Sequence, residues 1–135
     1  MKKIEVVAAV IVREAEVLCL QRNFSKYDYI SYKYEFPGGK VESKEDYKKA
    51  LSRELLEEMN LRIDEDQMTF FMTVNHQYED FSIIMHAYLC RVEQINFILN
   101  EHVDSVWSNS ENINSLDWAA ADLPIVDLLL KDAII

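Results

Sequence analysis

Phe36-Pro37-Gly38-Gly39-Lys40, running on to Arg53-Glu54-Leu55-Leu56-Glu57-Glu58-Met59-Asn60-Leu61, decides how this chain folds. Gly38 and Gly39 are the only two glycines in 135 residues, and Pro37 is one of two prolines. Glycine permits positive φ and close approach of backbones. The other turns use Asn, Asp and Ser, so a special backbone requirement falls at this point, read as a tight turn. Downstream, Lys44 to Met59 contains neither Gly nor Pro and is rich in strong helix formers, which predicts a helix. Ser43 with Asp46 resembles a capping box, and Glu45 and Asp46 then sit where the helix dipole favours acid. Asn60 suits a left-handed terminator.

Spacings of three and four bring Glu54, Glu57 and Glu58 to one helix face. Like charges at this spacing oppose the helix by about 0.2–0.5 kcal/mol per pair. Arg53 projects about 100° away from Glu54 and is expected not to neutralise the whole face. Divalent cations on that face explain the arrangement. Carboxylates are the ligands that suit Mg²⁺ or Mn²⁺, and a backbone carbonyl at the glycine turn would complete the shell. The plain alternative is a solvated acidic surface.

Working outward, Ile4 to Arg13 reads as a buried strand, Glu14-Ala15 as a turn, and Glu16 to Arg22 as a second strand. A loop with Tyr27, Tyr29 and Tyr32 leads to a short strand at Tyr34 to Phe36. Beyond the helix, Leu61 to Ile63 reads as a short strand. Met68 to His76 and Phe81 to Val92 read as a hairpin, and Val103 to Ser108 as a further strand. Ser110 to Asn114 suggests a helical turn. Pro124 falls in the first turn of a helix completed by Ile125 to Lys131. Strands, helix, strands, helix is an α+β (mixed α/β) order with helices for both faces of a sheet. The length suits one domain, 1–135.

Half the residues are hydrophobic and the net charge is -10. That charge disfavours a nucleic acid polymer or an anionic membrane as partner, but not a small phosphorylated substrate whose charge bound metal offsets. Cys19 and Cys90 share no Cys-x-x-Cys pattern and read as buried free thiols in a reducing compartment. No signal peptide follows Lys2-Lys3, and no apolar run approaches the ~20 residues that span a bilayer. A cytoplasmic protein is expected.

Gly39, five residues, Glu45, seven residues, then Arg53-Glu54-Leu55-x-Glu57-Glu58-x-Asn60-Leu61 resembles the Nudix box, G-x5-E-x7-R-E-U-x-E-E-x-G-U, with U a bulky aliphatic. Asn60 is the one departure, standing where the box has Gly. Tyr34-Glu35-Phe36-Pro37-Gly38-Gly39-Lys40 resembles the lead-in of the MutT-like nucleoside triphosphate pyrophosphohydrolases. Leu116-Asp117-Trp118-Ala119-Ala120-Ala121-Asp122-Leu123-Pro124 is similar to their C-terminal signature.

The resemblance implies an α/β/α sandwich with a mixed central sheet. It implies Mg²⁺- or Mn²⁺-dependent hydrolysis of a nucleoside triphosphate to monophosphate and pyrophosphate. By family position Gly38, Glu54, Glu57 and Glu58 hold metal. Arg53 braces the glutamates with Glu45 as partner, and Glu101 is an added ligand or general base. Arg22 and Lys40 are placed to touch phosphate, and Glu35 to help hold the site. Asp122 reads the base edge, and Tyr78, with Tyr27, Tyr29 and Tyr32, is a candidate to stack on it. MutT has Asn at the position of Asp122. An ionised Asp only accepts hydrogen bonds, which suits the exocyclic amine of cytosine, while a protonated one would serve an oxidised purine. Asp122 also precedes a helix, so a plain N-cap is its alternative. His76, His86 and His102 form no spaced cluster and read as structural. The rival functions are hydrolysis of a nucleotide sugar or dinucleoside polyphosphate, and a non-catalytic Nudix-fold binding module.

Overall fold

The computed structural model describes residues 1–135. Its centre is β1 (Lys2–Arg13), whose alternating side chains build two cores at once. Val7, Ala9 and Ile11 face one way, and Ala8, Val10 and Val12 face the other; all six are at most 2 % exposed. Period-two alternation of uniformly apolar residues is what a strand covered on both faces requires.

The strand β2 (Glu16–Gln21) turns back antiparallel through Glu14, which adopts a left-handed backbone with φ 55°. Next come the short strands β3 (Tyr34–Glu35) and β4 (Gly38–Lys40). The helix α1 is Tyr47–Met59, and β5 (Met68–Gln77) and β6 (Phe81–Arg91) form the expected hairpin. The chain closes with β7 (Asp104–Ser108) and α2 (Leu123–Lys131). The sheet order is β3-β2-β1-β6-β5, with β4 on β1 and β7 on β2. The β1–β6 pair is parallel and the others are antiparallel, so the sheet is mixed.

Leu51, Leu55 and Met59 of α1 pack on one sheet face, and Ile125, Val126 and Leu129 of α2 pack on the other. Each of these buried side chains contributes about 2 kcal/mol of transfer free energy. The result is the expected α/β/α sandwich. Both cysteines are buried free thiols, and no helix is long and apolar enough to cross a membrane.

Three local expectations are corrected. The Ser43–Asp46 capping box does not form: Lys44 takes φ 62°, the helix begins at Tyr47, and Asp46 makes no side-chain cap bond. Glu45 instead accepts a hydrogen bond from the Glu42 amide at 3.0 Å. Leu61 to Ile63 is not a strand, although Leu61 and Ile63 are buried.

The third correction is that the two glycines are not a tight turn. They form β4, paired antiparallel with Val7 and Ala8. Close approach is the reason for Gly38: a Cβ there would overlap the Val7 carbonyl oxygen and stand 2.9 Å from Ala8 Cα. Both neighbours are backbone and cannot swing aside. Gly38→Ala is therefore expected to cost about 3 kcal/mol and roughly 10 °C of Tm. An unchanged Tm in thermal denaturation would show that this contact is not tight.

Candidate active site

The end of α1 is fixed by contacts from far along the chain. Asn60 takes the left-handed conformation at φ 51°, and its amide donates to the Leu56 carbonyl at 3.1 Å. The Leu61 amide donates to Leu55. The remaining orphan carbonyls of the helix end are satisfied by the segment before β7. Asn100 Nδ2 donates to the Glu57 carbonyl at 2.7 Å, the Asn100 amide to Glu58, and the Ile98 amide to Met59. This latch places Glu101 and His102 beside the acidic face of α1.

One cleft of about 780 Å³ collects most of the sequence candidates. Gly38, Lys40, Glu54, Glu57, Glu58 and Glu101 line it. So do Arg22, Glu35, Tyr78 and Asp122. Arg53 is absent from the lining and acts from behind. Of the tyrosines offered for base stacking, Tyr27 and Tyr78 reach the cleft. Tyr29 instead stacks on both, at 5.5 and 5.3 Å between centroids, and Tyr32 is half exposed elsewhere.

Arg53 reaches Glu54 and Glu57 but, as expected, does not neutralise the whole glutamate face. Its guanidinium grips Glu45 with two nitrogens, at 2.8 and 2.9 Å, and reaches Glu54 at 2.9 Å and Glu57 at 3.4 Å. A fourth contact runs to the Lys40 carbonyl at 3.1 Å. The length of the arginine side chain, not its position on the helical wheel, decides its reach. Its hydrogen bonds hold the Glu45 carboxyl down to about 2.

Glu58 is the carboxylate Arg53 does not bind. Burial first, then the charges of Glu101, Glu54 and Glu35, push it up to about 8, and it shares a hydrogen bond with Glu54. Burial also raises Glu54, against the pull of Arg53.

The floor of the cleft is a second network. Arg22 Nη1 donates to Glu35 Oε1 at 3.0 Å, and His102 Nε2 lies 2.9 Å from Glu35 Oε2. Burial opposes ionisation of Glu35, but the His102 hydrogen bond and the Arg22 charge hold it below the usual carboxylate range. Asp122 is 4 % exposed, and burial, then the Glu35 charge, push its carboxyl well above the usual range. It makes no helix-cap hydrogen bond, which removes the plain N-cap alternative.

Its place is set by the C-terminal segment crossing the lead-in strand. The Tyr34 amide donates to the Asp117 carbonyl at 2.8 Å, and the Ala119 amide to the Tyr34 carbonyl at 2.9 Å. Trp118 stacks on Phe36 at 4.8 Å. The Ala121 amide donates to Tyr78 Oη at 2.9 Å.

The donor set fits a hard divalent cation. It is oxygen only, and Glu58, which makes no salt bridge of its own, is crowded by Glu101, Glu54 and Glu35. The Glu54 carboxylate also occupies the space a Cβ on Gly39 would take, which explains the second glycine. The expected set of Gly38, Glu54, Glu57, Glu58 and Glu101 is nonetheless not gathered in advance: no three His, Cys, Asp or Glu side chains form a ready-made metal cluster. Arg53 holds Glu54 and Glu57 toward Glu45.

His102, read from sequence as structural, lines the cleft, as do residues that carry no sequence signal, such as Phe24. Phe24 lines the cleft though it is 70 % exposed. The one available signal was that His102 follows Glu101.

Comparison with known proteins agrees with this geometry. Residues 2–129 match the NUDIX domain family. The chain is 34% identical over 132 residues to the CTP pyrophosphohydrolase of Escherichia coli strain K12, covering 96% of this chain and 93% of that one. It is 28% identical over 102 residues to the 8-oxo-dGTP diphosphatase of Buchnera aphidicola subsp. Acyrthosiphon pisum (strain APS), covering 76% and 81%. The solution structure of the E. coli ORF135 protein superposes with a TM-score of 0.80 at 31% identity, over 97% of this chain and 91% of that one. A MutT NUDIX hydrolase from Burkholderia pseudomallei gives 0.83 at 19% identity, over 96% and 99%, which speaks for the fold alone. The chain belongs to the Nudix family. It is thereby a hydrolase of phosphorus-containing anhydrides, in a family that generally uses divalent metals.

Proposed function

We propose that residues 1–135 act as one unit that hydrolyses a (deoxy)nucleoside triphosphate to the monophosphate and pyrophosphate, in a MutT-like nucleotide-pool role. The observation that carries this is the single cleft holding both the carboxylate face of α1 and the buried Asp122. One end offers phosphate chemistry and the other a polar group at base depth. Water adds to phosphorus, the anhydride bond breaks, and pyrophosphate leaves with the bond's electron pair.

Glu54, Glu57, Glu58 and Glu101, with the Gly38 carbonyl, would hold Mg²⁺ or Mn²⁺, which would supply charge neutralisation and activation of the attacking water. Glu101, exposed beside Glu58, is the candidate to take the proton of the attacking water. Lys40 and Arg22 bind phosphate oxygens, and Glu35 holds Arg22 in place. Arg53 braces Glu54 and Glu57 against Glu45.

Cytosine-type triphosphates, CTP or a modified dCTP, are the first substrate class, by likeness to the E. coli CTP pyrophosphohydrolase across nearly the whole chain. The 8-oxo-dGTP class is the second: burial and the Glu35 charge push the Asp122 carboxyl well above the usual range, toward the protonated form, which offers one donor and one acceptor as an amide does. The upward shift of the Asp122 carboxyl favours the protonated alternative over the acceptor-only one. It predicts that Asp122→Asn keeps kcat/KM within about tenfold, whereas Asp122→Leu, leaving the base edge unpaired, loses about a hundredfold or more.

The test is a panel of canonical, methylated and oxidised triphosphates assayed for kcat/KM with both variants. A collapse of Asp122→Asn to the level of Asp122→Leu would mean that a carboxylate is needed. No turnover of any triphosphate would overturn the proposed function.

A further inference from the structure

In the whole chain only two buried side-chain nitrogen or oxygen atoms lack a hydrogen-bond partner: Arg22 Nε and His102 Nδ1. They belong to the two side chains that clamp Glu35, one on each carboxylate oxygen. The His102 side chain is 6 % exposed and lines the nucleotide cleft. A carboxylate only accepts hydrogen bonds, so the ring nitrogen facing Glu35 carries the hydrogen. A histidine kept only for packing would have its other nitrogen satisfied by backbone, since an unpaired buried polar atom is costly. His102 is itself fixed from both sides. Asn100 ties the segment to α1, and the Val103 amide donates to the Gln21 carbonyl of β2 at 3.0 Å.

We propose that His102 is a positioning residue: it locks the orientation of the Glu35 carboxylate that the bound nucleotide meets, and so governs nucleotide affinity and base discrimination rather than the bond-breaking step. This rests on the triphosphate reading of the cleft. Arg22 alone leaves the carboxylate free to rotate about one contact. With His102 opposite, its plane is set across the cleft floor, next to Asp122, whose carboxyl feels the Glu35 charge.

The test compares His102→Ala, His102→Gln and His102→Phe with the wild type. Two quantities are read: the dissociation constants of nucleoside monophosphates by calorimetry without divalent cation, and kcat and KM over the triphosphate panel with Mg²⁺. His102→Ala is expected to weaken monophosphate binding and raise KM about tenfold, the worth of one positioning hydrogen bond, with kcat within about twofold. Discrimination between bases narrows. His102→Gln, which keeps an N–H donor, recovers most of the loss. His102→Phe, which keeps the ring volume without a hydrogen bond, behaves as Ala and carries the comparison should the Ala variant not fold.

Unchanged affinity and KM in Ala and Phe would overturn the proposal, as would a fall in kcat alone. If the wild type releases orthophosphate instead of pyrophosphate, the reading of the reaction fails while the affinity comparison still decides His102. A wild type that binds no monophosphate overturns both.

Discussion

Glu58→Gln is expected to lower triphosphate turnover by about 10²–10³-fold, the loss typical of removing one group that faces developing charge, while stabilising the metal-free protein. The two effects have one origin. Burial, followed by the charges of Glu101, Glu54 and Glu35, raises Glu58 to about 8 from the ordinary 4.5. The folded state therefore holds this proton more tightly than the unfolded state does. Stability from that proton is fully present below about pH 4.5 and is lost as the pH rises through about 8.

Gln has no proton to lose, so the slope disappears in the variant. Half-exposed side chains are screened by solvent, so the gain at pH 8 is discounted to about 1–2 kcal/mol. Thermal unfolding in a chelator, scanned across that window, reads it directly. The wild-type Tm falls toward alkaline pH and the Glu58→Gln Tm falls less. A wild-type protein with no such fall would show that the carboxylates are not crowded, and normal turnover by the variant would remove Glu58 from the chemistry.

Arg53→Lys is the second large effect. The charge is kept, so a loss reports geometry. Arginine presents a planar fork, and Arg53 uses it on Glu45, Glu54 and the Lys40 carbonyl at once. An ammonium group is a single point with three donors and cannot span those partners. Turnover is expected to fall about 10–100-fold, as for residues that orient metal ligands.

The pH dependence of stability also changes. Arg53 holds Glu45 down to about 2, which contributes stability present above the ordinary 4.5 and lost as the pH falls toward 2. Weakened pairing in Arg53→Lys removes that contribution. The two proteins then differ in Tm near neutrality and converge in acid. Equal turnover in Arg53→Lys would mean that charge alone suffices at this position.

What the chain reveals of itself follows the range of the interactions involved. Strand β1 was legible because its apolar run is long and uniform. The end of α1 was legible because Asn60 is a local signal for a left-handed residue. The start of α1 was not: Lys44 turns left-handed and Glu45 is drawn to Arg53, so tertiary pairing overrides the Ser43–Asp46 signal. The glycines were correctly singled out, and close backbone approach is the reason at Gly38, but the tight turn read there is a strand. Their neighbours are Val7, some thirty residues earlier, and the Glu54 carboxylate, neither visible from local spacing.

The acidic face and Asp122 were found by motif. Their meeting in one cleft rests on the Tyr34–Ala119 crossing and the Asn100 latch, both long-range contacts. The upward shift of the Asp122 carboxyl and the clamp of His102 on Glu35 depend on burial, which composition does not report.

Phosphorus NMR of the products formed from CTP and from 8-oxo-dGTP with Mg²⁺ reads directly which anhydride bond breaks. Nucleoside monophosphate and pyrophosphate are expected in equal amounts, with neither product in chelator. Nucleoside diphosphate and orthophosphate would contradict the proposed reaction.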